Sequence, residues 1–119
     1  MSLYNWSAIP LEQLGPLFSR QVIHTSRLTI AKLVLKKGAV VPLHHHENEQ
    51  VTTMQSGALR FEIAGESVIV RGGESLCIPP NAPHRVEALE DSLATDVFTP
   101  PREDWIRGDD AYLRDQSTR

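Results

Sequence analysis

One cysteine, Cys77, stands in 119 residues, so no internal disulfide can form and nothing argues for an oxidising compartment. Positive charge is also short: the formal net charge is −3 and the pI about 5.9, which leaves no basic face for a phosphate backbone, and no nucleic-acid partner is expected. Aromatic residues make up 6% of the chain, and Tyr4, Trp6, Trp105 and Tyr112 lie near its ends rather than among lysines and arginines as a base-stacking platform requires. No apolar run approaches the roughly eighteen residues of a membrane span. The opening MSLYNWSAIP has neither a basic nor a long apolar stretch of the kind a secretory leader needs, so the cytoplasm is the expected compartment. Asn5-Trp6-Ser7 matches a glycosylation sequon and is read as chance in that setting. The length suits a single domain over residues 1–119.

What is present, between Phe18 and Phe98, is a series of short β-forming segments separated by Gly, Pro and Asn. In ALRFEIAGESVIV, Leu59, Phe61 and Ile63 alternate with Arg60 and Glu62, a turn is expected at Gly65-Glu66, and Val68 and Val70 resume the period of two. Residues 27–38 read as a strand ending at Gly38, with Gln21–Thr25 pairing across Ser26-Arg27. Further strands are expected around Leu76–Ile78, His84–Ala88 and Ser92–Phe98, with Cys77 a small buried hydrophobe. Strands at this spacing without intervening helices predict an all-β sandwich or barrel. The polar C-terminal stretch, with Trp105, Ile106, Tyr112 and Leu113 at loosely helical spacing, predicts one or two short helical turns against it.

Chemistry concentrates in GAVVPLHHHENEQ. On an extended chain residues i and i+2 share a face, so His44 and His46 project together while His45 points away. Two imidazoles do not hold a metal alone, and Gln50 and His84 are the candidates to complete the set. His45-His46-Glu47 also contains the H-x-E of zinc deaminases, but the P-C-x-x-C that must accompany it is impossible with one cysteine.

Gly38, His44, His46, Gln50 and Gly57 have the spacing of the first cupin motif, with Gln50 where that motif has Glu. Gly73, Pro79, Asn81 and His84 resemble the second, with Asn81 in place of Gly and Ala88 in place of Asn. Asparagine tolerates positive φ, so the first of these exchanges is conservative. The chain therefore resembles the cupin superfamily, which implies a double-stranded β-helix, or jelly-roll barrel, and one divalent transition metal (Zn, Ni, Fe or Mn). With Gln at the fourth position and the segment DVFTPPREDW, it is similar to the small KdgF-like cupins, which linearise 4,5-unsaturated uronates in pectin breakdown. That resemblance implies His44, His46, Gln50 and His84 as ligands, and Asp96, Phe98 and Arg102 facing an anionic small-molecule substrate. It also implies a homodimer, for which the apolar residues near Trp6, Ile9 and Leu11 are candidates.

Three imidazoles and a neutral amide leave a divalent ion its full +2 charge, which favours a carboxylate or enolate ligand and disfavours the two-histidine, one-carboxylate oxygenase chemistry. Asp96 alternates with Ala94 and Phe98, so it shares their face, and apolar neighbours would raise its pKa into the range useful for proton transfer. The bland reading of Asp96 is a salt bridge to Arg60 or Arg85; Arg102 is expected to hold a carboxylate bidentately, or else to lie in a solvated corner. The function expected is a metal-dependent isomerisation of unsaturated sugar acids. A dioxygenase of another small organic substrate and a non-catalytic sugar-binding module are the alternatives.

Overall fold

The computed structural model describes residues 1–114. Ten strands follow a 3-10 turn at Trp6–Ala8: β1 (Glu12–Gly15), β2 (Phe18–His24), β3 (Thr29–Leu35), β4 (Val40–His44), β5 (Glu49–Ser56), β6 (Ala58–Ile63), β7 (Glu66–Arg71), β8 (Ser75–Ile78), β9 (His84–Ala88) and β10 (Ser92–Thr99). Two helical turns close the described chain, α1 (Glu103–Ile106) and α2 (Ala111–Arg114). All pairings are antiparallel and form two sheets, ordered β1-β2-β3-β10-β5-β8 and β4-β9-β6-β7. This is the expected all-β jelly roll.

Alternation decides which side chains enter the space between the sheets. Along β10, Ser92, Ala94, Asp96 and Phe98 are buried while the residues between them are exposed or half-buried. The opposite sheet contributes Val41, Leu59, Phe61, Val86 and Ala88. Burying each large apolar side chain of this set contributes roughly 1.5–3 kcal/mol.

Three local expectations are corrected. The β6–β7 turn is Ala64-Gly65, one residue earlier than expected: Ile63 pairs with Glu66, and both turn residues have positive φ (49° and 84°). That is the signature of a two-residue turn whose twist matches the flanking strands. On β7, the outermost strand of its sheet, Val70 is buried but Val68 is 40% exposed. Cys77 is exposed, since on β8 it is Ile78 that points into the core. β1 and the 3-10 turn carry little periodic signal and were not anticipated. Asn5 of the sequon caps that turn, its Oδ1 accepting from Ser7 N (3.0 Å) and Ser7 Oγ (2.8 Å).

Candidate metal centre

Both sheets send polar side chains to one end of the barrel. β4 and β9 run antiparallel with His44 opposite His84, and their rings lie 4.2 Å apart between centroids. The chain then leaves β4, so His46 belongs to a loop rather than to the expected strand; it still falls on the same side, 5.1 Å from the His84 ring, while His45 is exposed. Asn81 holds the far side of this loop: at φ 63° it takes the left-handed turn expected of the glycine it replaces, and its N–H donates to His46 O at 2.8 Å. The ligand atoms available on His44, His46 and His84 all lie within 4.8 Å of one another.

The state of these rings is set by the backbone. Each Nδ1 faces a carbonyl oxygen, Pro42 O for His44 (2.7 Å), Asn48 O for His46 (3.1 Å) and Ala82 O for His84 (2.9 Å). A carbonyl only accepts, so each Nδ1 carries the hydrogen and each Nε2 presents a lone pair. Burial, together with neighbouring positive groups, lowers all three pKa values, to about 3 for His44 and about 4 for His46. Neutral imidazoles oriented through Nδ1 are the form that binds a metal.

Gln50 lies on β5 opposite Phe98 of β10, with Thr52 opposite Asp96. Its Nε2 donates to Thr52 Oγ1 (2.9 Å) and Asp96 Oδ2 (3.2 Å), which turns Oε1 toward His46 Nε2 at 3.1 Å. Two acceptors at that distance repel unless a positive charge lies against both. The donor set therefore fits a divalent metal ion on observations of the site itself: three Nε2 lone pairs converge and an amide oxygen faces one of them.

Asp96 is 6% exposed, and its Oδ1 is buried with no hydrogen-bond partner. Burial raises its pKa to about 7, against smaller opposing effects of Thr52 and Arg102. The salt-bridge alternative does not hold, because Arg60 and Arg85 pair with Glu62 and Glu87. Phe98 packs edge-on against His46 (5.6 Å) and Trp105 (5.1 Å).

Arg102 is buried, not in a solvated corner, with its guanidinium 4.7 Å from the Phe98 ring centre and 4.3 Å from that of Trp105. Its bidentate edge is already closed on Asp104, Nε to Oδ1 at 3.0 Å and Nη2 to Oδ2 at 2.8 Å, because the start of α1 brings residues two apart together. Burial opposes the Arg102 charge, but Asp104 and Tyr112 outweigh it and raise the pKa; Arg102 in turn lowers that of Asp104 against its own burial. The lining of the cavity, about 50 Å³ in volume, includes His44, Gln50, His84, Asp96, Phe98 and Arg102. Trp105, Tyr112 and Leu113 of the C-terminal turns line it too. The sequence marked those three only as packing residues; their one distinguishing signal was being apolar or aromatic in a polar tail. Met54 is buried in the core and is not among the lining residues.

A β-barrel with inward-facing, neutral, converging histidines at one end defines a metal-binding class of small barrel protein. The match to the cupin domain model over residues 31–98 makes the membership plain: this chain belongs to the cupin family. Among solved structures it is similar to KdgF from Halomonas sp., at 30% identity over 88% of this chain and 98% of that one, with a TM-score of 0.81. An RmlC-like cupin from Shewanella frigidimarina shares the fold at 24% identity, over 88% of this chain and 96% of that one, with a TM-score of 0.81. Oxalate decarboxylase of Bacillus subtilis shares it at 24% identity and TM-score 0.71, over 82% of this chain but 29% of the larger protein. No curated protein matches the sequence.

Proposed function

We propose that this cupin is a metal-dependent enzyme that opens and ketonises 4,5-unsaturated uronates, an isomerisation of sugar acids from pectin or alginate. The observation that carries the reading is Asp96. It is a buried carboxyl with one oxygen free, held through Gln50 beside three neutral imidazoles at the wall of a largely apolar cavity. Such a group can give and take a proton near neutral pH. The similarity to KdgF supports the same substrate class.

His44, His46 and His84 would hold the ion, with Gln50 Oε1 as the fourth donor. When bound, a divalent ion supplies positive charge that attracts an anionic substrate and polarises its oxygen atoms. Phe98 offers an apolar wall to the sugar ring. With Nε and Nη2 committed to Asp104, Arg102 meets a carboxylate through Nη1 rather than through the expected bidentate edge. Asp96 removes a proton from a sugar hydroxyl and returns it to carbon, a formally neutral cycle that consumes no oxidant. Two copies are proposed to pair through the N-terminal segment, where Leu3 and Leu11 are exposed at 98% and 59%; light scattering at the mass of a dimer supports this, and a monomer overturns it.

The test follows the ultraviolet absorbance of an unsaturated monouronate with metal-loaded and chelated protein. Metal-dependent loss of absorbance above the spontaneous rate is expected, without oxygen consumption. An unaltered rate, with metal verified in the sample, overturns the reading; oxygen uptake by the iron-loaded protein would point to a dioxygenase.

A further inference from the structure

Ring opening and ketonisation each move two protons. As the ring opens, the C1 hydroxyl loses a proton and the ring oxygen gains one; as the enol becomes a ketone, C4 gains a proton and the former ring oxygen loses one. Asp96 has a single oxygen free for this work, because Oδ2 accepts from Gln50. A second group is required, and the polar lining of the cavity narrows the choice. Thr52 Oγ1 accepts from Gln50, and its own hydrogen is directed to the Asp96 carboxyl, so it offers no proton to a ligand. The Nδ1 hydrogens of His44 and His84 are tied to backbone carbonyls. Arg102 does not release a proton at any ordinary pH.

Tyr112 remains. Its ring centre lies 5.0 Å from that of His44, and α2 sets it in the cavity lining. Its hydroxyl oxygen accepts from Arg102 Nη2 at 2.7 Å, with Trp105 Nε1 at 3.5 Å. Among the described residues that hydroxyl accepts and does not donate, so its hydrogen is available to a ligand. The adjacent guanidinium also stabilises the oxygen when the proton has left.

We propose that Tyr112 is the second proton-transfer residue, giving its hydroxyl proton to the ring oxygen of the uronate. The inference rests on the uronate reading above. As the C1–O5 bond breaks, its electron pair stays on O5, which takes the Tyr112 proton; the C1 hydroxyl proton passes to Asp96 Oδ1, and C1 becomes an aldehyde. The enol hydroxyl at C5 then returns its proton to the Tyr112 oxygen, the C4–C5 π pair takes the proton from Asp96 at C4, and C5 becomes a ketone. Both residues end as they began, the substrate keeps its formula, and no oxidant or reductant is needed.

Tyr112→Phe keeps the ring against His44 and removes only the hydroxyl. In metal-loaded protein, kcat on an unsaturated monouronate is expected to fall about 100-fold or more, with a much smaller change in KM. Calorimetric binding of galacturonate, a saturated uronate that cannot react, is expected to weaken about 2- to 10-fold through loss of one hydrogen bond. Metal content and melting temperature should stay at the wild-type values. Asp104→Asn, which loosens Arg102 without touching the phenol, should act mainly on KM, so a Tyr112 that merely props Arg102 would give the same profile as Asp104→Asn. Equal kcat in wild type and Tyr112→Phe, or matched kcat losses in the two variants, overturns the proposal and leaves the uronate reading intact. Wild-type protein that holds metal but does not turn the substrate over brings down the uronate reading and this step with it. In that case weaker galacturonate binding by Tyr112→Phe would identify the phenol as a binding group alone.

Discussion

At the scale of the residue, burial controls the chemistry. Asp96 and the three histidines are pushed in opposite pKa directions by the same loss of water, because burial disfavours whichever form is charged. The stability consequences differ in sign. Asp96 has its folded pKa raised from 3.8 to about 7, so the folded state binds the extra proton between those values and stability falls as pH rises through that window. For His44 and His46, lowered from 6.5 to about 3 and about 4, the unfolded chain binds more protons, and metal-free protein loses stability as pH falls below 6.5. Asp96→Asn removes the first effect while keeping an acceptor for Gln50. Thermal unfolding of metal-free protein should find this variant more stable than wild type by several degrees at pH 8.5, with most of the difference gone at pH 5. Equal melting points at pH 8.5 would show that the carboxylate is solvated rather than buried. On the catalytic side, Asp96→Asn should abolish turnover of the unsaturated uronate at every pH.

At the scale of the element, turns and the C-terminal helical turns carry the site. Gly57 joins β5 to β6 at φ +90°, and a Cβ there would lie 2.3 Å from Ser92 Oγ and 2.5 Å from Asp91 O. Backbone cannot yield to that extent, so Gly57→Ala is expected to cost more than about 3 kcal/mol by urea denaturation, whereas an exposed substitution such as Lys36→Ala should stay within about 0.5 kcal/mol. α2 is anchored to the barrel by the buried Arg20–Asp110 pair, and the Arg20 guanidinium lies 4.4 Å from the Trp105 ring centre, so β2 holds the segment that carries Trp105 and Tyr112. The β6–β7 hairpin illustrates what pattern alone missed: alternation located both strands, but the turn's register depended on Ala64 accepting positive φ, a conformation that residue rarely adopts.

For the whole molecule, the candidate metal centre joins the two sheets. His44 and His84 come from the four-stranded sheet, Gln50 from the six-stranded one, and His46 from the loop between them. An ion held there binds the folded chain and not the unfolded one, so it stabilises by mass action, about 4 kcal/mol when free metal exceeds Kd a thousandfold. Chelation should lower the melting temperature by on the order of 10 °C, and His84→Ala should melt at the chelated value whether or not metal is added. No shift on chelation, with metal bound beforehand, would place the ion elsewhere. Among the described residues no helix is long and apolar enough to cross a membrane.

Much of the architecture was legible in the residue order because it rests on local rules. The period of two from Leu59 to Ile63 and from Ala94 to Phe98, the glycines at 38, 57 and 73, and the spacing of His44, His46 and His84 together determined an all-β barrel, its corners and its candidate ligands. The resemblance they carry to cupins is matched by the family model. What only the tertiary structure decided depends on contacts between distant segments. Those contacts bury Arg102, turn Gln50 Oε1 toward His46 through its bond to Asp96, leave Asp96 Oδ1 without a partner and bring the C-terminal turns over the cavity. Periodicity reports which face of a strand a side chain occupies. It carries no record of what lies opposite that face, and the protonation of a buried group is set by what lies opposite.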